Sequence, residues 1–291
     1  MTNFLDIPAE HSSAQGSWVH IIPVPYDATS SYRKGSDGGP AAVIAASGQI
    51  EWFDIETRTE PYLIGIHTQG PVVCESDEPA DLAPLVQARV GAALDAGRLP
   101  VVIGGEHSVS IGAIQAAGER FAGLTVLQID AHGDTRSSYM GSTHNHACVM
   151  ARAREVAEIV QVGIRAIDQS EWETMDLERV FFAHEILESA DDSWIDGVIG
   201  HCSEHVYLTV DLDCFDPSVL PATGTPEPGG LDWRTVNTLI QRVARERRIV
   251  GFDVVELCPH EAHHASDFTA AKLVHRIIAE CACASAESWV R

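Results

Sequence analysis

Short apolar runs punctuate the chain: HIIPVPY at 20–26, LPVVIGG at 99–105, LTVLQID at 124–130, IVQVGI at 159–164, RVFFA at 179–183, HVYLTVDLD at 205–213 and RIVGFDVVEL at 248–257. Each has the length of a strand, and most lack the apolar–polar alternation of a half-exposed one, so they predict strands buried on both faces. Longer stretches with helical spacing lie between them, at 85–96, 109–120 and 233–245. DGGP at 37–40 reads as a helix entry with proline in the first turn, and a last helix is expected over 267–284. Strand-like runs alternating with helices predict an α/β fold in three layers, a mostly parallel central sheet covered on both faces. No internal repeat or low-complexity linker interrupts the pattern, and residues 1–291 read as a single domain.

Composition narrows this picture modestly. The chain has 291 residues, 45% hydrophobic and 21% charged, which is ordinary for a globular protein. No apolar run of about 18 residues suggests a membrane span. The start, MTNFLDIPAEHSS, lacks the basic and apolar pattern of a secretory signal, so a cytoplasmic protein is expected. A formal net charge of -23 disfavours nucleic acid and anionic membranes and favours small cationic partners, although solubility alone accounts for much of it. Seven cysteines without regular spacing, and no CxxC pair, fit buried free thiols in a reducing compartment.

The chemistry gathers where the strands end. In open α/β sheets, sites form at the carboxyl edge of the strands. There the sequence carries GGEHSVS with His107, DAHGDTR with Asp130, His132 and Asp134, DLDCFDPS with Asp211 and Asp213, and Glu256 after the last run. Side chains two apart on an extended strand lie roughly 6.5–7 Å apart, so one ion cannot collect the D-x-H-x-D run unless the chain turns; Gly133 is the expected turning point. Buried unpaired carboxylates cost several kcal/mol each, and two divalent cations would cancel four of them. Carboxylates with two imidazoles and no thiolate favour manganese, with nickel and cobalt still open. A lone D-x-D is usually a solvated turn and a lone GGEHS a helix cap; the combination points to a metal site.

These motifs resemble those of the ureohydrolase family, the arginases, agmatinases and their relatives. PVPYDATSSYRKGSDGGPAAVIAAS, GGEHSVS, DAHGDTR, QVGIRAID, DLDCFDPSVLPATGTPEPGGL and GFDVVELCP occur in the family's order across nearly the whole chain. The resemblance implies the arginase-like fold, two Mn2+ per chain, a homotrimer or homohexamer, and hydrolysis of a guanidino compound to urea and an amine. It implies His107, Asp130, His132, Asp134, Asp211 and Asp213 as metal ligands, with Asp134 and one of the later pair bridging. It further implies Asp134 as proton acceptor, Glu256 as partner of the guanidinium, and His146 as proton shuttle. His144 is the rival for the last role; the helix-like ACVMARARE after His146 favours His146.

Agmatine, giving putrescine, is the expected substrate, because GTPEPGGL reads as agmatinase-like. Arg136 departs from the Asn expected of an arginase. Facing the pocket, it would suit a guanidino acid such as 4-guanidinobutyrate; paired with an acid, it leaves agmatine favoured. Formiminoglutamate is a further alternative with the same metal core. Residues 137–146 and 165–185 are expected to line the mouth, with Tyr139 and Met140 as a gate. HEAHH at 260–264 matches the zinc-protease pattern but follows Pro259 and reads as a loop near the mouth. Cys214 reads as a buried strand thiol. Two other classes compete: a one-metal deacetylase-like hydrolase, and a non-catalytic subunit of a hetero-oligomer.

Overall fold

The computed structural model describes residues 2–289, with side chains through Ser285. Eight strands form one sheet: β1 (Val19–Val24), β2 (Ile66–Thr68), β3 (Leu99–Gly104), β4 (Thr125–Ile129), β5 (Glu158–Ile164), β6 (Val180–Phe182), β7 (His205–Asp211) and β8 (Arg248–Val255). Their order is β2-β1-β3-β8-β7-β4-β5-β6, and every pairing is parallel. Successive side chains leave opposite faces of a strand. Val19 and Ile21 therefore enter one core, whereas Ile22 and Val24 enter the other; Leu127 and Ile129 likewise separate from Val126. Both faces are dry, which is why these strands read as continuous apolar runs.

The helices are α1 (Gly39–Ser47), α2 (Pro79–Asp95), α3 (Ser110–Gly118), α4 (Val149–Ala153), α5 (Gln169–Trp172), α6 (Ala183–Glu188), α7 (Trp194–His201), α8 (Trp233–Glu246) and α9 (His264–Trp289). One face of the sheet carries α1, α7, α8 and α9, and the other carries α2, α3 and α4, giving three layers. α8 shows how such a layer is specified. Asp232 caps it by accepting from Thr235 N at 2.7 Å, and Val236, Leu239, Ile240 and Val243 bury one stripe. α2 starts at Pro79, earlier than the expected 85, because Pro79 occupies the first turn and the Glu78 side chain caps it. α9 also starts earlier, at His264 rather than 267.

α9 carries a buried ionic cluster. Arg276, 2% exposed, donates to Asp54 at 2.5 Å, Glu56 at 3.0 Å and Glu280 at 2.7 Å. His275 lies beside it, buried, with Lys272 Nζ 3.2 Å from its Nδ1. No helix among the described residues is long and apolar enough to cross a membrane. His260–His263 form a turn outside α9, so the two histidines of the HEAHH pattern do not share a helix face. Nor do they line the cavity that His107 and His132 face. Cys214 is buried, and burial with neighbouring Asp213 pushes its thiol well above the ordinary range, which suits an inert core position.

Candidate active site

The strand order decides which loops meet. β3, β8, β7 and β4 are neighbours in the sheet, though they lie far apart along the chain. Their carboxyl ends bring together His107, Glu256, the Asp211–Asp213 pair and the Asp130–Asp134 run. The loop after β1 joins them, because Gly105 lets the two backbones close: a Cβ there would stand 2.1 Å from Tyr26 O. Glu106 N donates to that same carbonyl at 2.8 Å.

The D-x-H-x-D run is held by its own backbone. Asp130 Oδ1 accepts from His132 N at 2.6 Å, and Asp130 Oδ2 accepts from Gln128 Nε2 at 2.7 Å. Gln161 donates in turn to Gln128 Oε1 at 2.6 Å and to Gly133 O at 2.8 Å. The turn expected at Gly133 falls instead on Asp134, whose φ is 51°. Gly133 serves close packing, since a Cβ there would lie 2.9 Å from Ile167. Glu256 also adopts a left-handed backbone, with φ 67°. Two such residues store about 1–3 kcal/mol of strain each, held in place by their surroundings. For Glu256 the restraint is explicit: its N donates to Gly105 O at 2.8 Å, and its Oε1 accepts from His107 N at 2.7 Å.

Two groups of ligand atoms result: His107, Asp130 and Asp211, and then Asp130, His132 and Asp213. Asp130 is common to both. Asp134 approaches from the first side, its Oδ2 3.0 Å from His107 Nδ1. The donor set can be tested for a cation through His107. Thr209 Oγ1 donates its single proton to Asp253 Oδ1 at 2.6 Å, so it accepts from His107 Nε2 at 2.9 Å. Nε2 then carries the proton and Nδ1 presents a lone pair. That buried Nδ1 has no hydrogen-bond partner, yet it faces oxygens of Asp130, Asp134 and Asp211 at 3.2, 3.0 and 3.4 Å. A lone pair aimed at three carboxylates fits a metal cation between them.

Without a cation, burial would lower the His107 pKa, but the three carboxylates overcome it and carry the imidazole well above its usual range, so Nδ1 then holds a proton; a cation between the carboxylates would take that proton's place and use the lone pair. Burial likewise opposes charge on His132, and Asp213 and Asp130 reverse it. Burial and the charges of Asp213 and Asp130 push Asp211 well up, and burial with Asp130 raises Asp134 to about 6. Groups this strained by one another mark a functional centre.

Above the carboxylates opens a cavity of about 310 Å³. His146 lines it; His144 does not, and bonds to Thr143 instead. Tyr139, Ile167 and Asp168 line it from the segments expected at the mouth, while exposed Met140 at the adjoining hairpin tip does not. Ser30–Arg33, Gly224, Thr225 and Glu227 contribute as well; both stretches lie in family-like motifs, DATSSYRKG and GTPEPGGL, in which no residue carries an expected role. Arg136 borders the cavity but is engaged: its Nε lies 3.4 Å from Glu171 Oε2, and its guanidinium stacks 4.7 Å over the Tyr139 ring.

A family model described as Arginase family matches residues 17–279. The chain belongs to the arginase family. Members are binuclear metal-dependent hydrolases of guanidino carbon–nitrogen bonds, and this arginase-family chain holds the clustered His and Asp side chains for such a centre. It is 38% identical to an N(1)-aminopropylagmatine ureohydrolase of Synechocystis sp. over 94% of this chain and 92% of that protein. It is 36% identical to the N(1)-aminopropylagmatine ureohydrolase of Thermus thermophilus, over 89% of each. Its fold matches the crystal structure of agmatine ureohydrolase of Thermoplasma volcanium with a TM-score of 0.88, at 32% identity, covering 99% of this chain and 96% of that one. The three-layer, arginase-like fold with a parallel central sheet expected from the sequence is thus the observed one, with β2 added to the seven expected strands.

Proposed function

We propose that this ureohydrolase acts on a guanidino-bearing polyamine, N(1)-aminopropylagmatine ahead of agmatine, releasing urea and the free polyamine. The carrying observation is the charge of the cavity. Seven carboxylates line it; Asp134, Asp211 and Asp213 would be spent on the cations and Glu171 is paired with Arg136, which leaves Asp168, Glu227 and Glu256 against Arg33. Such a lining suits a substrate with positive charge beyond its guanidinium. The Glu227 carboxylate has no partner among the described residues, so it is free to receive a distal ammonium. The names of the Synechocystis and Thermus relatives support the aminopropyl form over the agmatine first expected.

His107, Asp130, Asp134 and Asp211 would hold one divalent cation and Asp130, His132 and Asp213 the second. Manganese is the proposed ion, because the donors are hard oxygens and imidazoles. When bound, the pair supplies the Lewis acidity that makes water a nucleophile at neutral pH. The remaining work falls to side chains. Glu256, fixed through His107 N, offers its other oxygen to the flat guanidinium and orients it. As water adds to the guanidinium carbon, Asp134 accepts a proton. The bond from that carbon to the substituted nitrogen then breaks, and the proton passes to the departing amine. His146 exchanges protons with solvent at the cavity wall.

Two measurements test this reading. Urea release by manganese-loaded protein is measured with N(1)-aminopropylagmatine, agmatine, arginine, 4-guanidinobutyrate and formiminoglutamate; the aminopropyl compound is expected to give the highest kcat/KM. Arg33 borders the cavity without an ion-pair partner among the described residues, and that cation is what would favour a guanidino acid. A preference for 4-guanidinobutyrate would therefore reverse the assignment. Glu256→Gln keeps an oxygen for His107 N but removes the charge. It is expected to lose at least about 100-fold in turnover while retaining its metal; near-normal urea release would remove Glu256 from the mechanism.

A further inference from the structure

We infer that Thr29 and Glu106 are positioning residues that fix the tautomer of His146, so that Nε2 is its proton-transferring atom. Thr29 Oγ1 has one proton and two lone pairs, and the structure assigns all three. The proton goes to Glu106 Oε1 at 2.7 Å. One lone pair accepts from His146 N at 3.3 Å, and His146 Nδ1 stands 3.1 Å from the same oxygen. With its proton committed to Glu106, Oγ1 can only accept from Nδ1. The ring therefore carries its proton on Nδ1 and presents Nε2 as a base.

The direction of the Thr29 proton is set from behind. Glu106 is fully buried, and its Oε2 accepts from the backbone N–H groups of Thr29 and Ser30, at 2.5 and 3.1 Å. These donors cannot reverse. Ser108 donates to the other oxygen, so the carboxylate is an acceptor on every side. One acid thus ties the loop after β1 to the turn after β3 and, through Thr29, to the start of the 3-10 turn at His146–Cys148. The Tyr139 ring meets the imidazole edge-on at 6.0 Å, which limits its rotation. A hydrogen-bond partner behind an imidazole that orients it in this way selects the reactive nitrogen.

The inference rests on the proposed catalytic role of His146, and its test separates the two. Protein labelled with 15N in histidine and loaded with Zn2+ is compared as wild type, Thr29→Val and Thr29→Ser, with His146→Gln to assign the signal. The wild-type His146 signal is expected to report a protonated Nδ1. Thr29→Val removes the hydroxyl at nearly constant volume; the signal is expected to shift toward the other tautomer. With manganese, kcat is expected to fall at least about tenfold while KM stays within about twofold and metal content is unchanged. Thr29→Ser is expected to restore both tautomer and turnover. An unchanged tautomer in Thr29→Val, or a serine variant that fares no better, overturns the inference. Full turnover by His146→Gln would instead overturn the shuttle role, leaving the tautomer assignment to be judged by the spectra.

Discussion

The imidazole of His107 is prepared from its far side. Asp253, buried beneath the site, accepts from Tyr207 at 3.0 Å as well as from Thr209, so its acceptor role is fixed and the proton order through Thr209 follows. Thr209→Val would leave His107 Nε2–H without a partner and free the ring to turn over. Metal affinity is expected to fall about 10–100-fold, measured by titration of the metal-free protein, with Thr209→Ser close to wild type. Equal affinity in the valine variant would show that the carboxylates alone set the ring. The Asp and His residues of this centre were legible in the sequence because their chemistry restricts residue type and their spacing recurs at strand ends. Thr29, Thr209 and Gln161 were not, since an isolated hydroxyl or amide has no spacing to betray it and acquires its partner only through long-range packing. The left-handed backbones of Asp134 and Glu256 were equally hidden: the turn was expected at the glycine, where such geometry is easy, and it fell on its neighbour.

At the scale of elements, the long buried strands and α8 could be read from hydrophobic period alone. β2 is three residues and α5 only four, too short to generate a period; β6 is equally short but shows as the apolar run RVFFA at 179–183. The lateral order of the strands was not legible either, because it is set by which crossovers pack, and that order makes neighbours of four loops distant in sequence. α9 offers the clearest test of an element's energetics. Burial, together with Lys272, lowers the His275 pKa to about 4 from an ordinary 6.5. Between those values the unfolded chain binds a proton that the folded chain refuses. Stability therefore falls as pH drops from 6.5 to 4, by up to about 3 kcal/mol. His275→Gln is expected to flatten that slope in urea unfolding midpoints measured across the window; an unchanged slope would place the sensitivity elsewhere.

For the whole molecule, charge and cavity act in the same sense. A net charge of -23 surrounds an opening itself lined with carboxylates, so a polycation is drawn in before it makes any contact. Salt shortens the reach of that field from about 10 Å at 0.1 M to about 3 Å at 1 M. Raising NaCl across this range is expected to lower kcat/KM for N(1)-aminopropylagmatine roughly tenfold while kcat holds. A guanidino acid without net charge should respond far less. Equal salt dependence for both would mean that steering contributes nothing to selectivity.

Because all eight strands run in one direction, everything reactive is confined to a single rim. The opposite rim is made of exposed turns, such as Gly97 ahead of β3 and Gly123 ahead of β4, with no share in the chemistry. A bead, a dye or a fused reporter attached there would sit behind the catalyst and leave its entrance open, so immobilised and free protein should turn over alike.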